Sequence, residues 1–138
     1  MGLADERAEI ENVLGSYTFA YDENDMDAMA ECFTADAVMT MRITDGDLIG
    51  PFEGRDAIVG LMEKSLASQS DQRRHLVSNV VVRDVADGTA TVSSYLTLIS
   101  IADERLTVLS TARYEDELTR ENGAWRFSRR HVQLDLPY

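Results

Sequence analysis

Apolar residues recur at helical spacing through the first third of the chain. Ile10, Val13, Leu14, Tyr17 and Tyr21 stand three or four positions apart, with Glu9, Glu11 and Asn12 between them, which predicts an amphipathic helix. The run Asp22-Glu23-Asn24-Asp25 breaks this stripe and offers N-cap side chains to a short second helix carrying Met26, Met29, Ala30 and Phe33. Thr34-Ala35-Asp36 reads as a turn, after which Ala37, Met39, Met41 and Ile43 alternate as in a half-buried strand. Leu48–Phe52 follows another turn as a short partner strand, and Pro51 assigns it to a sheet edge. Ile58, Leu61, Met62 and Leu66 form one face of a third helix over Arg55–Ala67.

The period then changes from helical to two. A polar connection, 68–74, leads into Val-rich His75–Arg83, and Asp87-Gly88 marks a hairpin to Thr89–Ile101. Ala102-Asp103-Glu104-Arg105 turns the chain into Leu106–Leu118, and Asn122-Gly123 into Trp125–Leu136. Three helices followed by a meander of long strands predict one α+β domain over residues 1–138, with the helices on one face of an antiparallel sheet. Strict alternation places His75 on a face with Val77, Asn79 and Val81. Three helices, one of them short, leave the other face uncovered. Its apolar rows, Leu76, Val80 and Val82 or Tyr95 and Ile99 depending on register, predict a homo-oligomer, a dimer or trimer, built through the sheet.

Charge narrows the list of partners. Asp and Glu number 25 against 13 Lys and Arg, a formal net charge of −12, which repels phosphate backbones and anionic lipid and argues against nucleic-acid or membrane partners. The N-terminal MGLADERAEI has no apolar targeting segment. A single cysteine, Cys32, excludes an internal disulfide and fits a reducing cytoplasm. The expected location is therefore cytoplasmic.

Candidate chemistry is sparse. Two distant histidines, His75 and His131, with Cys32 do not make a zinc site, and Asp45-Gly46-Asp47 is too short for a calcium loop. No Gly-rich phosphate loop or G-x-S-x-G elbow occurs. Neither a metal nor an organic cofactor is expected. His75 opens a strand among apolar neighbours, a setting that suits either a general base or a hydrogen-bonded core residue. Asp22 falls at the C-terminal end of the first helix, where the macrodipole opposes a carboxylate unless a partner or solvent compensates.

These residues sit in a wider pattern. Tyr17-Thr18-Phe19-Ala20-Tyr21-Asp22, then Asp27 through Ala37, Gly54-Arg55-Asp56-Ala57-Ile58, Arg74-His75-Leu76-Val77-Ser78-Asn79 and Gly123 through Arg130 together resemble SnoaL-like proteins of the nuclear transport factor 2-like superfamily. The resemblance covers nearly the whole chain and implies a cone-shaped α+β barrel, three N-terminal helices packed on a curved antiparallel sheet. Within that superfamily, Asp22 and His75 resemble the aspartate–histidine dyad of scytalone dehydratase and hexachlorocyclohexane dehydrochlorinase. Tyr21 is similar to the tyrosine preceding that aspartate in the dehydratase, and Arg130 to an arginine in the dehydrochlorinase's last strand. The dehydratase's second pocket histidine has no counterpart in Thr89–Ile101, where Tyr95 is the proton-bearing aromatic.

The resemblance implies a cofactor-free lyase or isomerase, dehydratase-like, acting on a small apolar, cyclic molecule. His75 and Asp22 would be catalytic, with Tyr21, Tyr95 and Arg130 binding substrate. An ionised Asp22 would hold the Nδ1 proton of His75 and free Nε2 as a base for proton abstraction and elimination. The alternatives are a non-enzymatic ligand-binding or assembly module, such as the small subunit of a ring-hydroxylating dioxygenase, and a polyketide cyclase.

Overall fold

The protein is described by a computed structural model covering residues 2–138. Helix α1 runs over Leu3–Asp22 and buries Ile10, Leu14, Tyr17 and Tyr21, the stripe its spacing predicts. Helix α2, Met26–Glu31, starts on the side chain of Asp25, which accepts from the Ala28 N–H at 3.1 Å. It ends before Phe33, which instead opens strand β1, Phe33–Ile43. Phe33 is fully buried there, and Arg55 donates from Nε and Nη2 to its carbonyl at 3.0 and 2.7 Å. Strand β2, Ile49–Glu53, is an edge strand, and helix α3 occupies Arg55–Ala67.

Four long strands follow: β3, Gln72–Ala86; β4, Thr89–Ala102; β5, Arg105–Glu121; and β6, Ala124–Leu134. Asp87-Gly88 and Asn122-Gly123 turn two of the hairpins with positive φ at both positions, as two-residue hairpin loops require. Asp103 and Glu104 make the third in the same conformation without a glycine.

The six strands form one sheet in the order β2-β1-β6-β5-β4-β3. The sheet is antiparallel with one departure from expectation: β1 lies parallel to β6, with Met39 beside Arg130 and Met41 beside Val132. A parallel neighbour needs a long crossover, and here everything from β2 to β5 serves as one. The three helices pack on the curved sheet, and one apolar core joins them, centred on Tyr17, Phe33, Met39, Ile58, Leu98, Tyr114 and Phe127.

Bulges decide which side chains face that core. In β3 the register slips between Ser78 and Val81, where Asn79 has φ 54°. His75 and Val77 face inward before the slip, and Val80 and Val82 after it, while Leu76 and Val81 are exposed. His75 therefore does not share a face with Asn79 and Val81, because the extra residue inverts the alternation. A second slip sets Leu118 opposite Phe127 but Glu117 opposite Arg129, so Ser128 is the extra residue in β6. The inward series passes from Trp125 and Phe127 to Arg130, Val132 and Leu134. No helix among the described residues is long and apolar enough to cross a membrane.

Candidate active site

The end of α1 meets the start of β3 at the carboxylate of Asp22. Asp22 Oδ1 lies 2.6 Å from Nδ1 of His75, and Oδ2 accepts the backbone N–H of His75 at 2.9 Å. Both side chains are largely buried, 7% and 10% exposed respectively. Gln72 Nε2 also donates to the Asp22 carbonyl at 2.9 Å, satisfying one orphan acceptor of the helix end. The unfavourable macrodipole at Asp22 is thus offset by two directed donors. A carboxylate against Nδ1 assigns a proton to that nitrogen, so in the neutral ring the lone pair is on Nε2.

His75 lines an inner cavity of about 70 Å³ between α1, α3 and the sheet. Its walls are mostly apolar, Met39, Met41, Met62 and Leu98 among them, with phenols from Tyr17, Tyr21, Tyr114 and Tyr138. Asp22 is not in that wall. It stands behind His75 and borders a separate polar cleft of about 340 Å³ with Gln69, Asp71 and Arg73. The inner cavity is the better candidate because the imidazole faces it. Unbranched methionines make such a wall deformable, so a ligand larger than the resting space can enter by rotamer change.

Tyr21 borders both spaces. Its ring packs edge-on to His75, with centroids 4.7 Å apart, and its hydroxyl accepts a hydrogen bond from Gln69 Nε2. Burial pushes the Tyr21 phenol up, and the Gln69 bond opposes that. At the rim, Arg73 Nε pairs with Asp71 Oδ2 at 2.6 Å and its guanidinium lies 5.3 Å from the centroid of the Tyr138 ring. The hydrogen bond from Arg73 holds the Asp71 carboxyl below the usual carboxylate range, helped by Ser100.

Arg130 faces inward but lies deeper than the cavity wall, fully buried. Its guanidinium stacks on Tyr114, Tyr17 and Phe127, at 3.6, 4.2 and 4.4 Å from their centroids. Nε is 3.1 Å from Asp116 Oδ1, yet neither group makes a hydrogen bond among the described residues. Contact without alignment is a weak pairing, and burial pushes the Asp116 carboxyl up to about 7 against the pull of Arg130. Arg130 reaches a cavity ligand only through the rings it supports.

Tyr95 is placed elsewhere. Its neighbours Ser94 and Leu96 are buried whereas Tyr95 is 54% exposed, on the outer face beside Ser78 and Arg113. Strand parity removes it from any cavity that contains His75. His131 is also remote, with Nδ1 2.7 Å from Thr40 Oγ1. Cys32 is buried and its thiol is pushed up to about 11 by that burial, so it is no nucleophile at neutral pH. No group of three His, Cys, Asp or Glu side chains among the described residues could hold a metal ion.

Gln69, Tyr114 and Tyr138 border these spaces without having been singled out by sequence reasoning. Tyr114 carried a readable signal. It alternates with Ala112, Asp116 and Leu118, so its face of β5 is the one that also bears a carboxylate opposite Arg130. Gln69 lies in an irregular connection, where no periodicity marks orientation.

The SnoaL-like domain family model matches residues 3–131. No curated protein matches the chain. Among solved structures, a protein of unknown function with a cystatin-like fold from Nostoc punctiforme PCC 73102 has a TM-score of 0.82 at 22% identity, covering 99% of this chain and 97% of that one. A Catenulispora acidiphila protein in complex with S-DNPA has a TM-score of 0.81 at 26% identity, over 95% and 94% of the two chains. The β subunit assigned to an aromatic-ring-hydroxylating dioxygenase of Novosphingobium aromaticivorans DSM 12444 has a TM-score of 0.84 at 12% identity, over 99% and 94%.

Proposed function

Since the chain belongs to the SnoaL-like domain family, we propose that it is a cofactor-free lyase or isomerase in which His75 is the base and Asp22 its orienting partner. The observation that carries this reading is the Asp22–His75 contact at 2.6 Å, with the imidazole facing an apolar cavity. Nε2 of His75 takes a proton from a carbon of the substrate. The C–H electron pair forms the new double bond as hydroxide departs from the adjacent carbon, and the proton on the imidazolium converts that hydroxide to water and restores the base. Asp22 stabilises the transient imidazolium and fixes its tautomer. Tyr21, held by Gln69, orients the leaving group. The substrate is small, apolar and cyclic, in keeping with the methionine-lined wall, and the relative in complex with S-DNPA supports a ligand in this fold.

The test uses 3-hydroxycyclohexanone and related cyclic β-hydroxy ketones, with enone formation followed by absorbance. Turnover by the wild type that is lost in His75→Ala supports the reading. Equal turnover in both proteins overturns it.

The competing reading is a non-enzymatic ligand-binding or assembly module, supported by the shared fold of the dioxygenase β subunit. Ligand binding that persists in His75→Ala, with no turnover of any cyclic carbon acid by either protein, brings it to first place. A polyketide cyclase would use the same base but yield a new carbon–carbon bond. In either case the protein works as a dimer or trimer in the cytoplasm, without nucleic-acid or membrane partners. Leu76, Val81 and Tyr95 on β3 and β4 and Leu106 and Val108 on β5 are exposed and supply an apolar contact surface.

A further inference from the structure

We propose that Tyr138 is a movable plug in the mouth of the inner cavity, latched by Arg73, and that a small apolar ligand reaches His75 by displacing it. The inference rests on the reading of that cavity as the ligand site and adds the route by which it fills.

Tyr138 belongs to the cavity wall and is 59% exposed, whereas every other residue of that wall is buried or half-buried. A ring with one side in the cavity and the other in solvent is the boundary between them. The chain brings it there by a short strap. Beyond β6, the Asp135 N–H donates to the Thr111 carbonyl at 2.9 Å, and Ser110 Oγ donates to the Leu136 carbonyl at 2.8 Å and accepts its N–H at 3.3 Å. Pro137 has no N–H to continue that pairing, and Tyr138 crosses from the β5 side to Arg73 at the start of β3.

Anchor and latch differ in kind. Leu136 is fixed by directed hydrogen bonds, while the Tyr138 ring is held by a guanidinium 5.3 Å from its centroid, a contact that is weak at an exposed site. Arg73 is itself fixed, because its Nε donates to Asp71 Oδ2 at 2.6 Å and Asp71 also accepts from Ser100 Oγ. A fixed cation under a loosely held ring gives a strap that opens beyond Leu136 and closes on the same seat. At about 70 Å³ the resting cavity is well below the roughly 300–1,000 Å³ of ligand pockets, so a ligand needs the volume that the Tyr138 ring vacates.

Diethyl pyrocarbonate acylates a neutral imidazole nitrogen and reads access to His75 without any turnover, so its result is separate from the assignment of His75 as base. Wild type, Tyr138→Ala, Tyr138→Phe and Arg73→Gln are treated with it. Peptide mass spectrometry follows His75 against His131, which alternates with the inward Arg130 and Val132 and serves as internal reference. Reaction proceeds only through the open fraction, so removing a plug shut about nine-tenths of the time raises the His75 rate about tenfold. The expected result is that rise in Tyr138→Ala, a smaller one in Arg73→Gln, and the wild-type rate in Tyr138→Phe, which keeps the ring. The His131 rate stays constant throughout. Equal His75 rates in wild type and Tyr138→Ala, including no reaction in either, overturn the plug. A rise in Tyr138→Ala with none in Arg73→Gln overturns the latch. If both histidines speed up in Tyr138→Ala, that variant has unfolded and Arg73→Gln decides: a rise confined to His75 supports the plug, and no rise overturns it.

Discussion

A carboxylate at the C-terminal end of a twenty-residue helix is held by two donors from one residue of another element. Asp22 grips both the backbone and the ring of His75, so it sets the position of the imidazole as well as its tautomer. Asp22→Asn is expected to retain the fold and lower turnover by about 10⁴. The Asp22→Asn/His75→Ala double mutant should be little worse than either single one, because the two groups act as a unit. Steady-state kinetics beside circular dichroism separates that outcome from misfolding. Asp116 gives a different prediction. Its folded pKa of about 7 lies above the unfolded carboxylate value, so the native state holds a proton that the unfolded state releases between about pH 4 and pH 7. The stability it contributes is complete below about pH 4 and is lost as pH rises through 7, with a slope of at most about 1.4 kcal/mol per pH unit. Urea titrations across that range should show the fall in the wild type and less of it in Asp116→Asn. Asp22, His75 and Tyr21 could be picked out from sequence because their motif fixes their position in the chain. Tyr95 could not be excluded there, since its face depends on the register of β4, which its neighbours fix.

At the scale of elements, the helices and hairpins follow from pattern. Helix α3 has the predicted bounds, and the Asp87-Gly88 and Asn122-Gly123 turns stand where those dipeptides place them. What pattern could not supply is parity. The extra residues at Asn79 and Ser128 invert alternation within their strands, and a period-two reading has no means of locating an insertion that does not change composition. The same limit applies to the start of β1, where the buried Phe33 fits either a helix face or a strand. Gly54 provides the element-level prediction. It starts α3 at φ 93° and ψ 152° while its N–H donates to the Ala37 carbonyl at 2.7 Å, a conformation almost confined to glycine. Gly54→Ala should lower unfolding free energy by about 1–3 kcal/mol in urea denaturation, without moving the residues around His75.

For the molecule as a whole, an apolar strip on the outer face of the sheet and a net charge of −12 pull in opposite directions. Burial of Tyr95, Leu106 and Val108 favours association, and like charge opposes it over about 10 Å at 0.1 M salt. Sedimentation equilibrium at micromolar protein is expected to show a dimer or trimer that tightens with added salt, and Tyr95→Glu should shift it towards monomer. A monomer under all conditions would remove the sheet interface from the proposal. The sheet order carries one more consequence, for how the chain reaches its fold. Strand β6 is synthesised last yet lies between β1 and β5, so it joins the β1–β2 hairpin to the β3–β5 meander. Until it emerges, neither piece has a partner along its open edge, and contacts such as Phe33 with Phe127 must close across about two-thirds of the chain. Such non-local closure slows folding and leaves unpaired strand edges open to aggregation in the interval.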